Sequence, residues 1–178
     1  VAKDLPDKLE TVIYCDMTDE QKSYYEAEKS KIRNSIISSI EEDKEKPAML
    51  AIEGLNKLRQ IANHPVMIDD GYAADSGKFE EITRNIENLI AEKHKVLVFS
   101  AYVKHLNLFA EYLQKNNHSF SLLTGSTQNR EKVIADFQES DDKYVFLLQI
   151  KAGGVGLNLT AADYVFIIDP WWNPAVEE

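Results

Sequence analysis

The stretch from Val145 to Pro174 reads VFLLQIKAGGVGLNLTAADYVFIIDPWWNP. Tyr144–Gln149 is an apolar run of strand length, and Tyr164–Asp169 is a second one, rich in β-branched and aromatic residues. Neither alternates with polar residues, which predicts strands buried on both faces, as in a parallel sheet. The fourteen residues between them, Ile150 to Asp163, are long enough for a crossover connection. Among them lies a glycine-rich segment, Ala152-Gly153-Gly154-Val155-Gly156-Leu157-Asn158. Ligands of open α/β sheets bind outside the carboxyl ends of the strands. The glycines follow such an end, so the working site is expected there.

Upstream, the pattern alternates. Val96–Ser100 reads as a strand, Leu106, Phe109 and Leu113 mark a helix, and Phe120–Leu123 is a strand leading into the turn Thr124-Gly125-Ser126. Val133, Ile134 and Phe137 mark the next helix. Strands alternating with helices imply an α/β fold with a parallel sheet and helices on its faces. Ser76 is placed to cap a helix whose buried side carries Phe79, Ile82, Ile86, Leu89 and Ile90.

The first part of the chain is different. Thr11–Cys15 reads as a short strand. Thr18-Asp19-Glu20-Gln21 is a capping box opening a helix on which Tyr25, Ile32, Ile36 and Ile40 fall near one face. A second helix starts near Pro47, with Ala51, Leu55, Leu58 and Ala62 at helical spacing, and Asn63-His64-Pro65 ends it. The span 66–75 reads as a linker. Residues 1–75 thus form an N-terminal strand and helical lobe with its linker, and residues 76–178 form the sheet domain.

Composition narrows the function. The 178 residues carry a net charge of −10 and 44% hydrophobic side chains, with one cysteine. No run approaches the roughly 20 apolar residues of a membrane span, and the first residues have no apolar core of a signal peptide. The cytoplasm is the expected compartment, or the nucleus in a eukaryote. A lone Cys15 in an apolar run reads as a structural thiol. The acidic balance argues against coating nucleic acid by bulk attraction. It is uneven, however: residues 1–75 hold 10 basic and 16 acidic side chains, and residues 95–155 hold 7 and 6. Any phosphate contact is therefore local.

Gly71 and Ser76-Gly77-Lys78 do not make a phosphate loop, which needs four residues between its glycines and Ser or Thr after the lysine; here the gap is five and Phe79 follows. The segment Ala152–Asn158 lacks the third glycine of a dinucleotide fingerprint, because Leu159 stands there. On spacing alone it reads equally as a structural turn or an anion site. Asp169 reads as a strand-end turn. His64, His94, His105 and His118 lack metal-ligand spacing. Lys104, Arg130 and Lys151, near strand ends or helix starts, read singly as solvated surface.

Taken together, KVLVFSAY (Lys95–Tyr102), TGSTQNR (Thr124–Arg130), KAGGVGLNLTAAD (Lys151–Asp163) and DPWWNP (Asp169–Pro174) resemble, in order and spacing, the second motor lobe of Swi/Snf-type ATPases. These are superfamily 2 helicase-like DNA translocases. Leu5-Pro6-Asp7-Lys8, Met17-Thr18 with Gln21, Leu58–Pro65 and Ser76-Gly77-Lys78 fit the same pattern. The resemblance implies a RecA-like sheet with a helical insertion lobe, in a motor whose two lobes hold ATP and Mg²⁺ between them. The first lobe, with its phosphate loop, is absent from these residues. The arginine motif expected after the Trp171-Trp172-Asn173-Pro174 region is not reached before Glu178, so the chain is expected to be inactive alone and to carry no catalytic groups.

The resemblance also implies roles. Ser100, Lys104, Gly125, Ser126, Arg130, Lys151, Ala152 and Gly153 would face the backbone of double-stranded DNA. Gly154, Gly156 and Asn158 would face ATP. Gln149-Ile150 departs from the pattern, since a small hydroxyl residue is expected there in many relatives. Two other classes remain open: a catalytically silent docking module that kept the fold, and an unrelated small α/β nucleotide-binding protein.

Overall fold

The computed structural model describes residues 9–41, 47–152 and 157–170. Helices α1 (Asp19–Glu41) and α2 (Pro47–Asn63) come first, followed by a single 3-10 turn at Pro65–Met67. The sheet domain follows as α3 (Gly77–Ala91), β1 (Val96–Ser100), α4 (Val103–Lys115), β2 (Ser119–Leu123), α5 (Arg130–Glu139), β3 (Lys143–Gln149) and β4 (Tyr164–Ile167). The strand order is β2-β3-β1-β4 and every pairing is parallel. Each strand must therefore return over a face of the sheet, and the C-terminal ends of all four lie at one edge.

Alternation along the central strands divides the core in two. Val96 and Val98 of β1, with Val145 and Leu147 of β3, pack against Ile86 and Leu89 of α3 and Leu106, Phe109 and Leu113 of α4. Leu97 of β1, with Phe146 and Leu148 of β3, faces the other way, onto Phe137 of α5 and Ala152. Residues Leu157, Leu159 and Ala162 cover the same face. Both faces of β1 and β3 are thus dry, which is why these strands are apolar throughout.

Tyr164–Ile167 is an exception to the burial its composition predicts. It is an edge strand, and Tyr164, Val165 and Ile167 are exposed by 41%, 58% and 39%. An apolar run specifies a strand, but not which position in the sheet that strand takes.

The helical lobe also corrects its sequence reading. Thr11–Cys15 is not a strand: nothing among the described residues pairs with it, and Val12, Ile13 and Tyr14 are exposed. Cys15 is half-buried, and burial raises its thiol pKa, as suits an unreactive side chain. On α1 the inward line runs through Gln21, Glu28 and Ser39, leaving Ile40 exposed. On α2 it runs through Gly54 and Ile61, with Leu55 outside. Gly54 lets the two helices approach closely, since a Cβ there would sit 2.4 Å from Ile32 Cγ2. Glu28, though buried, is held by Lys31 and Lys57 at 2.6 and 2.5 Å. Those hydrogen bonds lower its pKa against the cost of burial.

Only half of the predicted capping box forms. Thr18 Oγ1 accepts the Gln21 amide at 3.2 Å, but the Gln21 side chain does not return to Thr18. Fully buried, it donates to Ile61 O and Ala62 O at 2.9 and 3.2 Å and accepts the Gly77 amide at 3.2 Å. One carboxamide thus satisfies terminal carbonyls of α2 and the first amide of α3, groups that a helix leaves unpaired.

Candidate nucleic-acid interface

The edge at the strand ends is built by three loops. Ser100 closes β1, opposite Gln149 in register. Its hydroxyl donates to Asp169 Oδ2 at 2.5 Å and accepts the Tyr102 amide at 3.0 Å. Asp169 also accepts the Ala101 amide at 2.6 Å and lies 3.2 Å from His105 Nδ1. Ser100, His105 and Asp169 are all buried. Asp169 is therefore more than a strand-end turn: it fixes the β1–α4 loop from beneath. The Ser100 hydroxyl is engaged inside the fold.

The second loop follows β2. Thr124 O accepts the Thr127 amide at 3.1 Å, Thr127 Oγ1 accepts the Thr124 amide at 2.9 Å, and the Thr124 and Ser126 hydroxyls are 2.9 Å apart. Gly125 and Ser126 stand at the exposed tip. The third loop leaves β3. Ile150 N–H donates to Ser100 O and Ala152 N–H to Gln149 O, both at 2.9 Å. Ala152 is buried and Lys151 is exposed. Arg130, at the start of α5, donates to Ala152 O at 3.2 Å, so a cation is held against this loop. Lys104, in the first turn of α4, is exposed and paired with Asp70 at 2.7 Å.

Ser100, Gly125, Ser126, Arg130, Lys151 and Ala152 are thus gathered at one sheet edge by loops that bond to one another. Gly153, Gly154 and Gly156 lie outside the described residues, as do Leu5–Lys8 and Trp171–Pro174. Asn158 is exposed, and its carbonyl accepts from Gln138 at 3.0 Å. Gln138 also accepts the Ala161 amide at 3.0 Å, which docks this segment on α5. No group of three His, Cys, Asp or Glu able to hold a metal occurs among the described residues. No helix among the described residues is long and apolar enough to cross a membrane.

Ser76-Gly77-Lys78 has a structural role. Ser76 Oγ accepts the Phe79 amide at 3.1 Å, capping α3 as its position predicts, and donates to Asn63 O at 2.6 Å. Gly77 is required by packing, because a Cβ there would lie 1.8 Å from Asp16 O. Lys78 donates to Asn63 Oδ1 at 2.7 Å and Ile168 O at 3.1 Å. Burial lowers its pKa, opposed by the nearby Asp169. The lysine joins α2 to the end of β4. Sequence reading missed Gln21, Lys78, His105 and Asp169 as organising residues, since each acts through partners distant in the chain.

Comparison with known proteins bears on the same edge. Residues 77–178 match the helicase conserved C-terminal domain, and residues 1–67 match the SNF2-related domain. The chain is similar to DNA repair protein RAD5A of Arabidopsis thaliana, with 45% identity covering 58% of this chain and 10% of that protein. It is also similar to the SWI/SNF chromatin-remodeling complex subunit snf22 of Schizosaccharomyces pombe, with 31% identity covering 98% of this chain and 11% of that one. The chain spans about a tenth of the length of these curated relatives. Among solved structures it resembles the Sulfolobus solfataricus SWI2/SNF2 ATPase C-terminal domain, with a TM-score of 0.83 at 33% identity over 95% of this chain and 75% of that one. It also resembles the SWI2/SNF2 ATPase core of the same organism in complex with dsDNA, with a TM-score of 0.81 at 30% identity over 97% and 37%.

Proposed function

Because this chain belongs to the SNF2 family of helicase-like ATPases, as its C-terminal helicase domain, we propose that it supplies the second lobe of an ATP-dependent double-stranded DNA translocase. In this reading the C-terminal edge of the sheet holds the DNA backbone, and the lobe closes on ATP and Mg²⁺ against a first RecA-like lobe. The observation that carries it is the gathering of Gly125, Ser126, Arg130, Lys151 and Ala152 on interlocked loops at one edge of an all-parallel sheet. The likeness to an ATPase core solved with dsDNA supports the same reading.

A translocase must grip every sequence, so its contacts belong on phosphates and leave base edges unread. Lys151 and Arg130 supply positive charge, with Lys104 further out on α4. Gly125 and Ser126 supply a small exposed turn that a phosphate can approach. Ser100 acts through Asp169, by fixing the backbone of its own loop. Gly153 continues the DNA track, and Gly154, Gly156 and Asn158 take the nucleotide side. ATP brings the phosphoryl group whose transfer drives the motor; this lobe's part is to orient that nucleotide and couple its presence to the DNA edge.

The test is Lys151→Ala in the intact two-lobe protein, titrated with duplex DNA at several salt concentrations. Losing one phosphate contact lowers the slope of log affinity against log salt by about one unit, with a similar loss on every duplex sequence. An unchanged slope would remove Lys151 from the interface, and a changed base preference would contradict a backbone-only grip.

A further inference from the structure

The carboxamide of Gln149 bridges two loops of the candidate interface. Gln149 is the last residue of β3, and its Oε1 accepts the exposed Gly125 amide at 2.9 Å. A backbone N–H can only donate, so the oxygen of the carboxamide faces Gly125 and the nitrogen faces away. Gln149 is half-buried, and among the described residues its carboxamide nitrogen makes no hydrogen bond.

The consequence is a change of donor at this corner. The Gly125 amide, which the resemblance places toward DNA, is withdrawn from any ligand while Gln149 holds it. In exchange the edge presents two side-chain N–H groups on a carboxamide whose far end is clasped. The loops that Gln149 joins carry groups that suit an anion: the Thr124–Ser126 hydroxyl pair beside Gly125, and Arg130, held at Ala152 O.

We infer that the Gln149 side-chain NH₂ is a DNA-backbone contact of this lobe, donating to a phosphate oxygen in place of the Gly125 amide. The inference rests on the DNA reading above. A small hydroxyl side chain, two bonds shorter, would leave the Gly125 amide to the ligand. Because the carboxamide is neutral, its contact adds a charge-assisted hydrogen bond without the counterion release of a lysine. It therefore has a different signature from Lys151: it shifts affinity at every salt concentration and leaves the salt slope alone.

The experiment uses the intact two-lobe protein and a duplex DNA of arbitrary sequence. Gln149→Glu keeps an acceptor for the Gly125 amide, so the clasp between the loops survives, but it removes the donor and places a negative charge against phosphate. The expected result is a loss of duplex affinity of about tenfold or more, with an unchanged melting temperature. Gln149→Met removes acceptor and donor at similar length and releases the Gly125 amide to the ligand, so it should lose less affinity than Gln149→Glu, with the salt slope unchanged. Wild-type affinity in Gln149→Glu, with Lys151→Ala still lowering the slope, would overturn the inference and leave the DNA reading standing. Absence of salt-dependent duplex binding by the wild-type protein would overturn both.

Discussion

His105 has no exposed surface and packs against Phe109, with ring centroids 5.2 Å apart. Its Nδ1 lies 3.2 Å from Asp169 Oδ2, so that nitrogen carries the proton, while Nε2 is enclosed without a partner. Protonating Nε2 would bury a charged donor that nothing accepts. Burial accordingly lowers the His105 pKa, opposed by Asp169, with Lys78 lowering it further. His64, also lowered by burial, is the other histidine near enough to interact with it. With the folded pKa below the unfolded one, the unfolded chain binds more protons between the two values, and stability rises with pH across that window. It is therefore lost as pH falls through about 6.5. We expect the stability of the chain to drop between pH 7 and pH 5, with His105 contributing at most about 2 kcal/mol. Denaturant titrations of wild type and His105→Asn check this: the variant should show a smaller drop, leaving the part due to His64. Equal drops in the two proteins would mean that His105 is protonated in the native state. In the sequence His105 was one of four unremarkable histidines. Its enclosure follows from the β1–β4 pairing, which brings Asp169 beneath the β1–α4 loop across 64 residues of chain.

At the scale of elements, the helical lobe is joined to the sheet by a few buried polar side chains. Gln21 reaches from α1 to the end of α2 and the start of α3. Asn63, Ser76 and Lys78 carry the connection on to the end of β4. Ring contacts run alongside, from His64 to Phe79 at 5.5 Å and from Phe79 to Phe109 at 4.9 Å. Replacing Gln21 by Leu would keep the volume and strip partners from two carbonyls and one amide. With each buried unpaired group costing about 1–3 kcal/mol, we expect Gln21→Leu to destabilise the chain by about 3 kcal/mol in chemical denaturation. A change under about 0.5 kcal/mol would mean that water replaces the carboxamide and that the junction is looser than its geometry. The sequence announced Gln21 as the end of a capping box, which is a local rule; the tertiary partners won because they are orphaned helix ends with nothing else nearby. The same limit explains Thr11–Cys15, whose β-rich composition has no strand beside it among the described residues. It also explains Ile40 and Leu55, which keep helical spacing on the side that the α1–α2 contact leaves outside. Helices α3, α4 and α5 were legible because their apolar stripes face a sheet, the situation periodicity describes.

At the scale of the molecule, alternating strands and helices were enough to read a parallel sheet with its loops at one edge, because right-handed crossovers leave few other arrangements. The order β2-β3-β1-β4 and the edge position of β4 were not legible, since an apolar strand looks the same at the centre and the edge. Of the candidate site, the three loops could be read from their motifs. The inward turn of Ser100 and the clasp of Gln149 on Gly125 could not, because both depend on side chains meeting across the sheet edge. We propose that this chain supplies one lobe of a motor whose ATP site closes only against a second lobe. The most direct measurement is ATP turnover by the 178-residue chain alone and by the whole two-lobe protein, each with and without duplex DNA. We expect no turnover by the chain in either condition, and turnover stimulated by duplex DNA in the whole protein. Hydrolysis by the chain alone at about 1 per second, the rate of a working enzyme, would contradict the proposal.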